Sequence, residues 1–148
     1  SGDLGNSPQD LIKPTENVTD AQVVVLESTY GDRTHSGEDP LKVLQEEINL
    51  IEEAGGTLLI PAFSLERTQE LLHRIDHLKK NKLIKEKTLV FLDSPMAIRA
   101  TMIFKHFADL YNNELAGHAK LDDPFDFPGL VLVEKGGESA KIKEVDRR

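Results

Sequence analysis

Four short apolar runs are the clearest pattern in the sequence. They cover residues 23–27, 57–60, 88–92 and 130–133, and each is followed by a turn residue or a polar stretch. Continuous apolar runs of this length are typical of strands that are buried on both faces of a parallel sheet. We therefore predict four strands, the first of them from Val23 to Glu27.

The stretch after the first run has the spacing of an amphipathic helix. Its apolar residues are three, four and three positions apart, and they are Leu41, Leu44, Ile48 and Ile51. Asp39 is a suitable N-cap and Pro40 a suitable first residue, because that position needs no backbone N–H. Gly55 then supplies the left-handed position that ends many helices. These signals predict one helix between the first two strands.

Two further helices are predicted, one after each of the next two strands. Ser64 is expected to cap the first of them, whose buried stripe would consist of Leu65, Leu72, Ile75 and Leu78. The second starts at Pro95, and its core-facing residues would be Met96, Ala100, Ile103, Phe107 and Leu110. The lysine-rich stretch 79–87 is expected to be a solvated connection.

The order of these elements predicts an α/β fold. Strands and helices alternate along the chain, which favours an open, mainly parallel sheet flanked by helices, with right-handed crossovers. A chain of 148 residues is about one domain long. The first 20 residues do not follow the alternation and look like the end of a different unit.

Composition excludes several kinds of chemistry. The sequence has no cysteine, which rules out disulfides, thiolate nucleophiles and cysteine-bound zinc, and which fits a cytoplasmic, reducing compartment. The net charge of −8 disfavours broad, nonspecific binding to nucleic acid, so such a role would need a local basic groove or metal ions. No apolar run is long enough to predict a membrane span.

Polar groups follow three of the predicted strands. They are Glu27, the turn at Phe63 and Ser64, and the pair Asp93 and Ser94. Because the carboxyl ends of parallel strands meet at one edge of a sheet, we expect these groups to converge there in a binding site. Glu27 is a candidate acid–base group, although an acidic residue at a strand end is more often a cap or an ion-pair partner.

Metal ligands are suggested at two places. Asp3 lies in a glycine-flanked turn and offers a hard carboxylate oxygen to a metal ion, with an ordinary turn aspartate as the alternative. His73 and His77 have the four-residue spacing of a helical metal site. No third ligand is evident beside them, so the polar, solvent-facing side of a helix is the favoured interpretation.

Two loops have residues that could hold a phosphate group. Tyr30 precedes a loop in which Arg33 and a backbone amide could bind phosphate, although an ordinary loop is equally consistent. The second candidate is the segment from Phe63 to Gln69, where the N–H groups of a helix start, Arg67 and Gln69 could bind an anion. A capped helix with a solvent-facing arginine explains this segment equally well.

Five segments carry a family resemblance, namely 1–5, 27–31, 55–56, 60–71 and 92–97. In this order along the chain they resemble the β-CASP nucleases, the RNA-processing branch of the metallo-β-lactamase superfamily. The combination of Glu-Ser-Thr-Tyr-Gly with Pro-Ala-Phe-Ser is quite specific, whereas either one alone is not. The resemblance implies a Rossmann-like β-CASP domain over residues 31–148, preceded by a fragment of lactamase-like core over residues 1–30.

The resemblance also implies roles for individual residues. The family's two-zinc site uses an aspartate of a Gly–Asp turn as a bridging ligand, and Asp3 matches that position. Glu27 matches the family's first acidic motif, which supports a histidine near the leaving group, so a catalytic role is implied. The residues expected to contact the substrate are Tyr30, Arg33, Phe63, Ser64, Arg67, Gln69, Asp93 and Ser94.

The sequence departs from the family at its metal motifs. The His-x-His-x-Asp-His signature and the family's other histidine motifs are absent. We therefore expect this chain to be an excised segment, with some of these motifs before residue 1 and the last after Arg148. Since tetrahedral zinc needs three or four protein ligands, Asp3 alone is insufficient. The parent protein is expected to bind two zinc ions, and this segment to bind none and to be inactive by itself.

The leading functional hypothesis concerns that parent protein. It would be a zinc-dependent hydrolase of phosphodiesters that processes RNA as an endonuclease or a 5′ exonuclease, with no membrane partner and with a homodimer left open. One alternative is a degenerate, non-catalytic β-CASP module that binds RNA or a protein, and the acidic net charge favours a protein. Another is a stand-alone α/β domain that binds a mononucleotide. The upstream histidine motif would discriminate between the enzyme and the binding module.

Overall fold

The first helix, α1, spans Pro40–Ala54 in a computed structural model that describes residues 2, 11–34, 37–112, 115 and 123–145. The carboxylate of Asp39 accepts a hydrogen bond from the backbone N–H of Leu41, and Pro40 is the first helical residue. Gly55 ends the helix with φ 65° and ψ 34°, a conformation that glycine adopts at little cost. The predicted caps of this helix are confirmed.

The sheet is parallel, as the sequence predicts. Strand β1, Val90–Leu92, pairs with strand β2, Leu130–Leu132, in the register Val90 to Leu130. Helix α2, Arg67–Lys80, precedes β1, and helix α3, Pro95–His106, follows it. A single-turn helix α4, Gly136–Ser139, and a 3₁₀ helix, Ala140–Glu144, follow β2. The α/β class with helices flanking a small parallel sheet is therefore confirmed.

The core is built from one face of each long helix. Phe125 is central to it, because its ring packs edge-on against the rings of Phe104 and Tyr111. The ring centres are 6.4 Å apart for Phe104 and 6.3 Å apart for Tyr111. Leu11 also belongs to the core, and the neighbouring Ile12 forms an antiparallel bridge with Tyr111. The main buried side chains are Leu11, Leu44, Ile48, Leu72, Ile75, Leu78, Leu92, Ile98, Tyr111, Phe125 and Phe127.

Two of the four predicted strands are wrong. Residues 23–27 form no strand, and the side chains from Val23 to Leu26 are 62–81% exposed. Residues 57–60 also form no strand, and Leu59 is 83% exposed. An apolar run becomes a buried strand only where neighbouring strands and helices cover it. The described strand pairings, β1 with β2 and Ile12 with Tyr111, leave these two runs outside the sheet.

The predicted core face of α3 is also largely wrong. Met96 and Ile103 are exposed, as are Phe107 and Leu110 beyond the end of the helix. The predicted Ala100 is buried, and the other buried residues on the helix are Ala97, Ile98 and Thr101. Thr101 on this face accepts a hydrogen bond from Gln69 on α2. The apolar periodicity identified the helix, but two of the larger side chains that it selected, Met96 and Ile103, lie in solvent.

Lys79 is not part of a solvated connection. It is 6% exposed, and its Nζ donates hydrogen bonds to the backbone oxygens of Glu86, Thr88 and Pro128 at 3.0, 2.5 and 2.7 Å. Nζ also lies 5.6 Å from the ring centre of Phe127. Burial lowers the pKa of Lys79 below its usual value. This ammonium therefore connects the C-terminal end of α2 to the segments that immediately precede β1 and β2.

The helices in the described part of the chain are too short or too polar to cross a membrane.

Candidate functional site

The loop before α2 has an unusual backbone. The predicted Ser64 cap is wrong, because the N-cap is Glu66 and its side chain makes no capping hydrogen bond. Glu66 has φ 65° and ψ −64°, and the N–H of Arg67 donates to the oxygen of Leu65 at 2.9 Å. This is a γ-turn with positive φ, which is a strained conformation for a residue with a side chain.

Side chains on that loop are presented to solvent. Phe63 is 86% exposed, and Leu65, which the sequence places in the buried stripe of the helix, is 64% exposed. The guanidinium of Arg67 is oriented by an ion pair, with Nη1 2.6 Å from the buried carboxylate of Glu70. Because a guanidinium has five N–H donors, this pair leaves donors that a ligand could use. The loop thus displays an aromatic ring, and a cationic donor follows four positions later at the start of α2.

Gln69 has a different position from the one expected of a substrate contact. Its side chain is fully buried, with 0% exposure, and its Nε2 donates to the backbone oxygen of Ser64 at 3.1 Å and to Oγ1 of Thr101 at 3.0 Å. Thr68, the preceding residue, donates from Oγ1 to the oxygen of Phe63 at 2.7 Å. Both side chains hold the loop rather than facing solvent.

Ser94 caps α3 as an N-terminal serine should. Its Oγ accepts a hydrogen bond from the N–H of Ala97 at 3.2 Å. Asp93, at the carboxyl end of β1, is exposed and accepts a hydrogen bond from the hydroxyl of Ser139 in α4. These two residues therefore lie at the sheet edge where the sequence predicts them.

Hydrogen bonds connect two of the three predicted strand ends. Gln69 joins the Ser64 loop to Thr101, and Thr101 donates in turn to the oxygen of Ala97, whose N–H is bound by Ser94. The loop before α2 and the start of α3 are thereby held in one network. Thr68 and Thr101 are the residues that sequence reasoning missed. A hydroxyl on the buried side of a helix beside small neighbours was the available signal.

The turn that contains Glu27 is held by local contacts. A carboxylate oxygen of Glu27 accepts from the N–H of Thr29 at 2.9 Å, and this hydrogen bond lowers the pKa of the exposed Glu27. Nε of Arg33 lies 2.9 Å from Oδ1 of Asp32. This ion pair lowers the pKa of Asp32 and raises the pKa of Arg33. Arg33 also lies 6.0 Å from the ring centre of Tyr30. Glu27 is therefore not seated at the end of a buried strand.

The candidate metal ligands remain without a described site. Asp3, the predicted bridging ligand, lies outside the described residues. Among the residues that are described, no three His, Cys, Asp or Glu side chains are grouped so that they could hold a metal ion. His73 and His77 on α2 thus have no described acidic or histidine cluster around them.

Comparison with known families gives one match that covers more than half of the chain. The model of the family described as "Beta-Casp domain" matches residues 68–148. The matched region begins in the first turn of α2 and includes Gln69, both strands and α3. The loop at residues 63–66 lies just before it.

Curated proteins similar to the chain are named as ribonucleases. "Ribonuclease TTHA0252" from Thermus thermophilus is 33% identical over 139 residues, which is 90% of this chain and 31% of that protein. "RNase aCSPSF2" from Saccharolobus solfataricus is 43% identical over 75 residues, or 49% of this chain and 15% of that protein. "Endoribonuclease YSH1" from Kluyveromyces lactis is 26% identical over 77% of this chain and 16% of its own length. The chain therefore spans less than a third of the relatives that it matches.

Proposed function

Because the chain belongs to the Beta-Casp domain family, we propose that it is a segment of an RNA-processing nuclease that hydrolyses phosphodiester bonds. The names of its relatives support this proposal, since they include a ribonuclease, an RNase and an endoribonuclease. The segment's own part in the reaction is to bind and orient RNA. The activity itself belongs to the longer parent protein.

One observation carries the proposed RNA surface, namely the exposed loop in front of α2. Phe63 offers a ring on which a base can stack, and Arg67 offers N–H donors to a phosphate oxygen. The dipole of α2 adds partial positive charge at the same place, while the N–H groups of Arg67 and Thr68 are themselves bound to carbonyls of the loop. Such local donors allow a chain with a net charge of −8 to bind an anionic polymer.

The start of α3 would extend this surface. Ser94 and Asp93 follow β1, and the hydrogen-bond network through Gln69 and Thr101 connects this edge to the Phe63 loop. A carboxylate repels phosphate but accepts hydrogen bonds from sugar hydroxyls and base amino groups. Asp93 would therefore contact the sugar or base, while Arg67 would contact the phosphate.

Zinc dependence is part of the same proposal for the parent protein. A zinc pair would supply a bound hydroxide for attack on phosphorus, and Asp3 would be one of its ligands. Glu27 would orient a histidine that acts near the leaving group, and the turn with Tyr30 and Arg33 would contact the substrate. Among the described residues no three His, Cys, Asp or Glu side chains are grouped for a metal ion, and the role proposed for these residues is RNA binding.

Cleavage of single-stranded RNA by the parent protein is the primary test. We expect cleavage that stops when a chelator is added and returns with zinc. End-labelled substrates separate an endonuclease, which gives internal fragments at once, from a 5′ exonuclease, which releases the labelled end first. RNA binding without cleavage in the presence of zinc would instead support the non-catalytic module.

The RNA surface has its own test in the salt dependence of binding. Arg67→Ala should weaken binding of the parent protein to single-stranded RNA and reduce the slope of log K against log salt by about 0.7, the value for one lost phosphate contact. Lys42→Ala on α1 removes one exposed positive charge from another helix and serves as the matched control. An equal effect of both variants would mean that only net charge matters.

A further inference from the structure

Three buried polar side chains surround the candidate RNA loop. Thr68 donates to the oxygen of Phe63 twice, from its backbone N–H at 3.2 Å and from Oγ1 at 2.7 Å. Gln69 reaches the next carbonyl, that of Ser64, and at the same time donates to Thr101 on α3. The three side chains are 7%, 0% and 3% exposed. They lie beneath the loop and are inaccessible to RNA.

The loop that they hold has a conformation which a free segment would not keep. Glu66 has positive φ, and the turn at Leu65 and Arg67 is closed by a single backbone hydrogen bond of 2.9 Å. Strained turns of this kind persist only where the surrounding structure fixes them. Here the fixed points are the carbonyls of Phe63 and Ser64, which precede the strained residue and are bound by side chains from α2.

The hydrogen bonds of Gln69 indicate that it fixes the position of the loop. Its Oε1 is buried and has no hydrogen-bond partner among the described residues. An unpartnered buried acceptor is unfavourable, so a leucine of similar size would satisfy the site at least as well for stability alone. What leucine cannot do is bind the carbonyl of Ser64 and the hydroxyl of Thr101 at once.

We propose that Thr68, Gln69 and Thr101 form a positioning network that fixes the 63–66 loop in the shape in which Phe63 and Arg67 bind RNA. The network pulls two carbonyls towards the helices and so turns the ring of Phe63 outward, where it is 86% exposed. The ligand is a single-stranded RNA whose base stacks on Phe63. This inference rests on the proposed function, and it assigns Gln69 an indirect role in place of direct substrate contact.

Two variants of the parent protein test the network. Gln69→Leu and Thr68→Val each remove side-chain hydrogen bonds that hold the loop. Without them the protein should bind RNA about tenfold more weakly. The change should raise Kd or KM and leave kcat nearly unchanged. Thr68→Ser keeps the hydroxyl and should bind RNA like the wild type. Gln45→Leu makes the same chemical change on α1 and is the matched control.

Hydrogen exchange gives a readout that does not depend on activity. The amides of Arg67 and Thr68 are bound to the oxygens of Leu65 and Phe63, so opening of the loop exposes them. Both network variants should speed exchange in peptides covering residues 63–70, whereas the urea midpoint should stay near that of the wild type. Thr68→Val provides the answer if Gln69→Leu does not fold.

A double-mutant cycle decides whether the network acts through the loop. If it does, Gln69→Leu should weaken RNA binding in the wild-type background and have almost no further effect beside Phe63→Ala. Full additivity of the two changes would overturn the proposal. So would normal RNA affinity in both network variants, or a Thr68→Ser variant as weak as Thr68→Val.

Failure of the proposed function would have a different signature. If Phe63→Ala and Arg67→Ala bind RNA as well as the wild type, or the parent protein binds no RNA, the RNA surface is wrong and the network positions nothing for RNA. If those two variants weaken binding while the network variants do not, the surface stands and only the positioning role is wrong.

Discussion

The loop before α2 and the turn at residues 27–33 follow similar sequence, an apolar run and then a polar motif, yet they are held in different ways. Gln69 binds the loop to Thr101, which is 32 positions further along the chain. In the turn, Glu27 binds an amide two positions away and Arg33 binds the adjacent Asp32. Polar residues are fixed relative to the fold only where another element supplies their partners.

This difference matters for the proposed RNA surface, because such a surface depends on the placement of its groups. A displacement of about 1 Å can cost a large factor in rate, so groups must be oriented before the substrate arrives. Hydrogen bonds of Gln69 join the Phe63 loop to α3, whereas the hydrogen bond of Glu27 with Thr29 and the ion pair of Arg33 with Asp32 each join residues of one turn. The first region is therefore the better candidate for a prearranged binding surface.

The largest expected difference in stability is between truncation of a buried leucine on α2 and truncation of an exposed valine that precedes the turn. Leu78 on α2 is 0% exposed, and Leu78→Ala should lower the free energy of unfolding by about 2–5 kcal/mol. Val24 is 62% exposed, and Val24→Ala should change it by no more than about 0.5 kcal/mol. Urea unfolding of the two variants measures both. A loss at Val24 above about 1 kcal/mol would show that its apolar run is packed.

Two glycines make a second, smaller comparison. Gly129 enters β2 with φ +85°, and a Cβ there would lie 2.8 Å from the oxygen of Thr88, so Gly129→Ala should cost about 1–3 kcal/mol. In the turn, a Cβ on Gly31 would lie 3.3 Å from the oxygen of Ser28, a contact that a turn exposed to solvent can relieve. Gly31→Ala should therefore cost less, about 0.5 kcal/mol. Equal shifts of the urea midpoint would refute this contrast.

The two tyrosines extend the comparison to pH. Burial, followed by the negative charge of Asp123, raises the pKa of Tyr111 to about 12. Since the unfolded phenol ionises near pH 10, the stabilisation is complete below about pH 10 and is lost as the pH rises towards 12. In Tyr30→Phe, which leaves Tyr111 as the single tyrosine, the absorbance titration should have its midpoint well above 10. A midpoint near 10 would mean that Tyr111 is solvated.

The smallest expected effect on stability is that of the Glu27 carboxylate. The hydrogen bond from the N–H of Thr29 lowers the pKa of Glu27 below 4.5, so its small stabilising contribution is present above the unfolded pKa and is lost as the pH falls through the folded value. We expect its side-chain NMR titration to have a midpoint below 4.5, and Glu27→Gln to leave the urea midpoint unchanged. A midpoint at or above 4.5 would contradict the described turn.

Local signals in the sequence predicted much of the fold. Asp39, Pro40 and Gly55 define α1 by interactions within a few residues, and Ser94 does the same for the start of α3. The strand at residues 90–92 and its parallel partner follow from their apolar runs. The same signal failed at residues 23–27 and 57–60, because an apolar run does not specify which strand, if any, lies beside it.

The sequence by itself determined the α/β class, the caps of α1 and the family, because each depends on neighbouring residues or on a motif in order. Only the tertiary structure decided that Gln69 is buried, that Lys79 binds three carbonyls and that α3 buries Ile98 and Thr101. The physical reason is that burial and long-range hydrogen bonds depend on which elements meet in space. No local spacing records the 32 positions between Gln69 and Thr101.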